Sequence, residues 1–134
     1  MTYHFTVPRL PSAALSPNAR GHWSKRAKAM STDRMDAHAY FLQSYTRPDK
    51  PLESARIKVR VYFVNKRPRD PDNFGARLKG FFDGLTLAGV IRDDSFECIG
   101  HPQYEFLVDP AKGPAVEFEI EGEGTGSVCA SVYT

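Results

Sequence analysis

Cysteine is scarce in this chain of 134 residues. Cys98 and Cys129 are the only two, too few and too isolated for a disulfide scaffold or a cysteine-based zinc site. No run approaches the roughly 20 apolar residues of a transmembrane helix, so no membrane partner is expected. The opening MTYHFTVPRLPSAA lacks the basic-then-apolar layout of a secretory signal, and a reduced, cytoplasmic setting is the default. Phosphate-loop spacing, HExxH and CxxC are missing, and there is no internal repeat or low-complexity tract.

Charge is present in quantity and is unevenly divided. The formal net charge is only +2, yet residues 1–69 hold 14 Lys/Arg against 4 Asp/Glu, whereas residues 70–134 hold 4 against 12. A basic half favours a polyanionic partner, unless the two halves neutralise each other inside one fold. The length suits one domain, placed here at residues 1–121. The Gly- and Ser-rich residues 122–134 read as a flexible tail.

Periodicity predicts an α+β fold, a small mixed four-stranded sheet with two main helices packed on it. Tyr3–Val7 alternates and forms a first strand. Residues 8–30 read as a long loop in which Arg20, Lys25, Arg26 and Lys28 surround His22 and Trp23. Such a mixture suits phosphate contacts and stacking on a base; the alternative is Trp23 tucked onto the core. Ser31, Thr32 and Asp33 offer N-cap side chains for a helix over 31–46, or one starting earlier near Trp23. Its core candidates are Met35, Tyr40 and Phe41.

The clearest strand is 55–64, with Ala55, Ile57, Val59, Val61 and Phe63 on one face and Arg56, Lys58, Arg60 and Tyr62 on the other. A last strand, 114–121, alternates Val116, Phe118 and Ile120 with Glu117, Glu119 and Glu121. Adjacent strands would pair these two charge rows, so Arg56, Lys58 and Arg60 are left out of the site. A third strand is expected over 96–108.

The chemistry is concentrated in Arg69–Ser95. Pro71 biases Asp70 toward extended backbone, which turns Asp70 and Asp72 to one side. Two close carboxylates repel unless a cation lies between them, and an all-oxygen site of this kind suits Mg²⁺, with Mn²⁺ as a substitute. A helix follows, burying Phe74, Leu78, Phe81, Phe82, Leu85 and Ala88. Opposite that stripe, Asp72, Lys79 and Asp83 fall within roughly 20° of each other, while Arg77 lies about 140° away. Lys79 is therefore the better basic candidate. Gly75, Gly80, Gly84 and Gly89 point to close approach of another backbone, a dimer partner's included, with Gly89 as an alternative C-cap. Asp93 and Asp94 fall in the next turn. On spacing alone the acidic residues could equally be helix caps and turn formers.

Taken together, these residues resemble the RusA family of Holliday-junction resolvases. The match runs through Arg69-Asp70-Pro71-Asp72-Asn73, Lys79 with Phe82-Asp83-Gly84-Leu85, Gly89, and Asp93-Asp94-Ser95, with Leu15-Ser16-Pro17-Asn18 and His22-Trp23 at the start. The resemblance implies a RusA-like fold and a homodimer in a bacterial or phage-infected cell. Its activity would be Mg²⁺-dependent cutting of four-way DNA junctions by paired symmetric nicks, leaving a 5′-phosphate and a 3′-hydroxyl. Carried over by position, Asp70, Asp72 and Asp94 are the catalytic metal ligands, Lys79 assists them, and Asp93 matches an acidic position. The family usually sets its lysine three residues after the Asn; here Asn73 and Lys79 are six apart. Arg20, Lys25, Arg26, Lys28, Lys66, Arg67 and Arg69 are the candidate DNA contacts. Two other readings are a non-catalytic branched-DNA-binding protein and a nuclease for flaps or other branched DNA.

Overall fold

Strand β2 (Ala55–Phe63) and strand β4 (Ala115–Gly122) form the centre of the sheet, and their side chains explain why. They run antiparallel with Arg56 opposite Glu121, Lys58 opposite Glu119 and Arg60 opposite Glu117. Arg56 reaches Glu121 at 3.0 Å, and Arg60 reaches Glu117 at 3.0 Å and Glu119 at 3.2 Å. The two charge rows therefore do meet on the outer face. Lys58 turns instead toward Glu105, at 3.8 Å. On the inner face Val59, Val61, Val116, Phe118 and Ile120 are wholly buried.

The computed structural model describes residues 1–17, 19–67, 69 and 71–122, with only the backbone of Pro71 and Asp72. The expected flexible tail lies outside the described residues apart from Gly122, which ends β4. Strand β1 (Thr2–Val7) pairs antiparallel with β4, and β3 (Gln103–Val108) pairs parallel with β2, giving the order β1-β4-β2-β3. The sheet is thus mixed, and with the helices the fold is α+β as expected. Parallel pairing requires a crossover between β2 and β3; helices supply it.

Helix α1 (Trp23–Ser44) starts at the earlier of the two expected positions. Its N-cap is His22, whose Nδ1 accepts from the Ser24 N–H at 3.2 Å. Ser31, Thr32 and Asp33 are therefore mid-helix residues, and the connection before α1 is shorter than the loop expected over 8–30. Phe41 is buried edge-on against Tyr3 and Phe5, but Met35 is exposed and Tyr40 only partly buried. Asp33 is wholly buried. It accepts from Arg9 at 2.7 Å and from the Ser12 hydroxyl at 2.6 Å and amide at 2.9 Å, so its charge is fully engaged.

The helix expected after Asp72 is divided. Helix α2 (Pro71–Arg77) stops at Leu78, and helix α3 (Lys79–Leu87) begins at once. The Leu78 amide bonds to the Gly75 carbonyl at 3.1 Å, a tight 3₁₀ step that re-aims the chain. The predicted stripe survives this break, because Phe74, Leu78, Phe81, Phe82, Leu85 and Ala88 are all buried. The expected third strand over 96–108 is also corrected. Residues Phe96–Ile99 form a short helix, α4, which ends at Gly100 with φ of +59°, and β3 begins only at Gln103. Ser95 in extended backbone starts α4 and leaves Phe96 in solvent while Cys98 and Ile99 pack inward. Gly89, with φ of +81°, follows Ala88, the C-cap of α3, and so takes the left-handed position just past the helix end where glycine is favoured.

Two of the glycines do allow close backbone approach, and the neighbour is α1 of the same chain. A Cβ at Gly80 would lie 2.6 Å from the Asp33 Cβ, and one at Gly84 would lie 2.6 Å from both the Ala37 Cβ and the Arg34 carbonyl oxygen. At Gly75 the nearest atoms are 3.9 Å away, on the Tyr104 ring. Gly84→Ala should therefore destabilise the fold by about 1–3 kcal/mol through overpacking. Gly75→Ala should be neutral or stabilising by up to about 1 kcal/mol from helix propensity. Urea denaturation of the two variants checks this opposition of sign; equal effects would remove the close crossing of α1 and α3.

Candidate acidic site and nucleic-acid interface

Lys79 is the first residue of α3, and the Gly80 contact with α1 fixes the backbone beside it. Its ammonium donates to Asp94 Oδ2 and lies 3.1 Å from Asp83 Oδ1. The i, i+4 spacing brings Asp83 to it. Asp94 arrives from fifteen residues away because the chain reverses after α3. That reversal is tied down at Leu52, whose amide bonds to the Val90 carbonyl at 2.8 Å and whose carbonyl accepts from Arg92 at 3.0 Å. Asp93 shapes the next turn: its carboxylate accepts from the Ser95 N–H at 2.9 Å and pairs with Arg92 at 3.3 Å. Hydrogen bonds from Ser95 and the charge of Arg92 hold the Asp93 carboxyl below its ordinary range.

The Lys79 side chain is half exposed. Partial burial lowers its pKa, but the hydrogen bonds and charges of Asp94 and Asp83 outweigh that loss, and the net shift is upward. Arg77 points elsewhere. It donates to the Pro11 carbonyl at 2.5 Å and lies over the Phe74 ring, 4.7 Å from its centre. Burial pushes its pKa down despite the nearby Asp33, and its Nε is buried with no partner among the described residues.

Of the three expected metal ligands, Asp94 is the one whose side chain is described. Asp72 belongs to the first turn of α2, with its side chain outside the described residues, and Asp70 lies outside them altogether. Among the described residues no group of three or more His, Cys, Asp or Glu is arranged to hold a metal ion.

The basic candidates fall into two groups. Arg20, Lys25, Arg26 and Lys28 are exposed around the first turns of α1, where Trp23 is 74% exposed rather than tucked onto the core. Arg26 donates to the carbonyls of Ala14 at 3.3 Å and Ser16 at 3.5 Å, which ties the preceding loop to the helix. Lys66 and Arg67 are exposed after β2. Arg69 folds back, donating to the carbonyls of Asn65 at 3.0 Å and Arg67 at 2.8 Å and lying over Phe63 at 3.8 Å. A cavity of about 990 Å³ lies elsewhere, on the outer sheet face beside α4. Its sheet charges include the paired rows described above.

Comparison with known proteins adds little about chemistry. No family model matches the chain. A protein of Xylella fastidiosa described as uncharacterized is 34% identical over 97 residues. The match covers 71% of this chain and 62% of that protein. Among the described residues no helix is long and apolar enough to cross a membrane.

Because its folded-state pKa is raised, Lys79 contributes stability that is fully present below its unfolded value of about 10.4. That contribution is lost as pH rises through the folded-state value. Carbon-13 NMR of the lysine ε-methylenes should show one lysine titrating above the ordinary range, and Asp94→Asn should bring it down. A Lys79 titration unchanged by Asp94→Asn would exclude the pairing.

Proposed function

We propose that this chain is a Mg²⁺-dependent, structure-specific endodeoxyribonuclease, a RusA-like protein that cuts four-way DNA junctions by paired symmetric nicks. The observation that carries the reading is the return of Asp94 to Lys79 across fifteen residues, beside Asp83, in the chain reversal that follows α3. Spacing alone allowed Asp94 to be a plain turn residue. Its carboxylate instead meets the lysine expected to share its chemistry.

Asp83 and Asp94 converge on one positive charge, the Lys79 ammonium, and an all-carboxylate donor set is of the chemistry that a hard divalent ion takes. Asp70, Asp72 and Asp94 would hold Mg²⁺, with Mn²⁺ as a substitute. Bound there, the ion supplies charge neutralisation at the scissile phosphate and a water of lowered pKa. Lys79, kept cationic by its two carboxylates, stabilises the negative charge that builds on the phosphate oxygens. Asp83 positions Lys79. In the balanced hydrolysis the water oxygen bonds to phosphorus, the bond to the 3′ oxygen breaks and that oxygen is protonated. The products are a 5′-phosphate and a 3′-hydroxyl. Arg20, Lys25, Lys28, Lys66 and Arg67 hold the DNA backbone without reading its sequence, so affinity falls steeply with salt. A homodimer supplies the second site needed for paired nicks.

Cleavage of a mobile four-way junction, a flap and a plain duplex in Mg²⁺ tests the reading. The wild type should cut the junction. Asp72→Asn and Asp94→Asn should each slow cutting about 100-fold or more while junction binding stays within a few-fold. Normal cutting by either variant would overturn the site. Junction binding with no cleavage under any divalent metal would identify a non-catalytic DNA-binding protein, and preferential flap cutting a different nuclease.

A further inference from the structure

Between β2, α2 and β3 is a second cleft, of about 300 Å³, whose aromatic floor the reaction above leaves unused. Its floor is apolar and mostly aromatic: Phe63 from β2, Phe74 from α2, and Phe106 and Val108 from β3. Phe106 lies nearly parallel to Phe63, at 24° and 6.1 Å, and to Tyr104, at 14° and 6.3 Å. Phe74 stands edge-on to both Phe63 and Phe106. The shelf is open to solvent at its edge, where Tyr104 is 40% and Val108 46% exposed.

Its mouth carries Lys66, Arg67 and Arg69, and no acidic residue among the described ones lines it. Arg69 is held in place over Phe63 by the carbonyls of Asn65 and Arg67. The side chains of Lys66 and Arg67 are exposed and make no hydrogen bond or ion pair with the described residues. Several other cations are paired: Arg9 with Asp33 and Asp36, Arg60 with Glu117 and Glu119, Arg92 with Glu53 and Asp93.

We infer that this cleft binds one unstacked nucleotide of a DNA strand, its base against the Phe106 shelf and its phosphate on Lys66 and Arg67. Three observations select that occupant. The volume is at the small end of ligand pockets and admits a ring system but not a duplex. Flat aromatic surface favours a planar π-system over an aliphatic chain. The cations at the mouth, with no carboxylate among the described lining residues, call for an anion attached to that ring system. In the sequence, Arg69 directly precedes Asp70 and Phe74 follows Asp72 by two residues, so the strand held here would be the one presented to the acidic stretch. Bases are free to leave the stack at a branch point and not within intact duplex, which makes the cleft a sensor of branched or single-stranded substrate. The inference rests on the nucleic-acid reading given above.

The test uses the full chain without divalent metal and a short single-stranded deoxyoligonucleotide carrying 2-aminopurine, with deoxyadenosine monophosphate and a plain duplex of equal charge as further probes. The single strand should bind with a change in 2-aminopurine fluorescence. Phe106→Leu, which keeps apolar bulk and removes the ring, should weaken single-strand binding about tenfold while duplex binding stays within twofold. The surface pair Lys66→Ala and Arg67→Ala, remote from the core, should weaken both the single strand and the mononucleotide. Wild-type single-strand affinity in Phe106→Leu, or equal losses for single strand and duplex, would overturn the inference. Failure of the nuclease reading is separately visible. A chain that captures the base but never cuts keeps the cleft and loses the catalytic proposal, whereas a chain that cuts normally with Phe106→Leu keeps catalysis and loses the cleft.

Discussion

The crossing of α1 over α3 is the constraint from which the site follows. Helices normally sit about 8–10 Å apart, the distance being set by the side chains between them. Here Gly80 and Gly84 leave no side chain on the α3 side, and Asp33 and Ala37 fill the space from α1. Any added carbon would meet an atom at 2.6 Å, so α3 has little freedom to rotate or slide along α1. Lys79 immediately precedes the first of these glycines. Its position is thereby inherited from the packing, and the ammonium needs only to meet the carboxylates that come to it.

Asp33 connects this crossing to the N-terminal strand. A wholly buried carboxylate is costly unless it is paired and hydrogen-bonded. Arg9 and Ser12 meet that requirement, and in doing so they pin the segment after β1 against α1. Arg9 also lies 5.2 Å over the Phe81 ring of α3, so one guanidinium touches both helices. The expectation that Asp33 caps a helix identified the right side chain for hydrogen bonding and the wrong partners. Local sequence shows a cap-competent residue, but it does not show whether the helix continues upstream or whether another strand brings an arginine.

The break at Leu78 bears on the spacing between Asn73 and Lys79. A continuous helix over that stretch would fix the phase of Lys79 relative to Asp72. The 3₁₀ step resets that phase, and Lys79 then starts a new helix whose direction is governed by α1. The lysine still meets Asp94. The buried stripe from Phe74 to Ala88 is kept across the join of the two short helices.

The sequence alone determined what depends on short-range periodicity. Alternation in 55–64 and 114–121 identified two strands, their inner faces and two opposite charge rows able to pair if the strands were neighbours, because a pleat allows only two faces. The spacing of Phe74, Leu78, Phe81, Phe82 and Leu85 identified the buried side of α2 and α3. The i, i+4 relation placed Asp83 within reach of Lys79, and the four glycines announced a tight contact. Only the tertiary structure decided that the contact is with α1 of the same chain, that Asp94 folds back onto Lys79, and that Phe63, Phe74 and Phe106 from three separate elements share one cleft. Those facts depend on where the chain reverses and on the parallel pairing of β3 with β2. Such long-range closures are settled by packing of the whole core, which no local pattern of residues encodes.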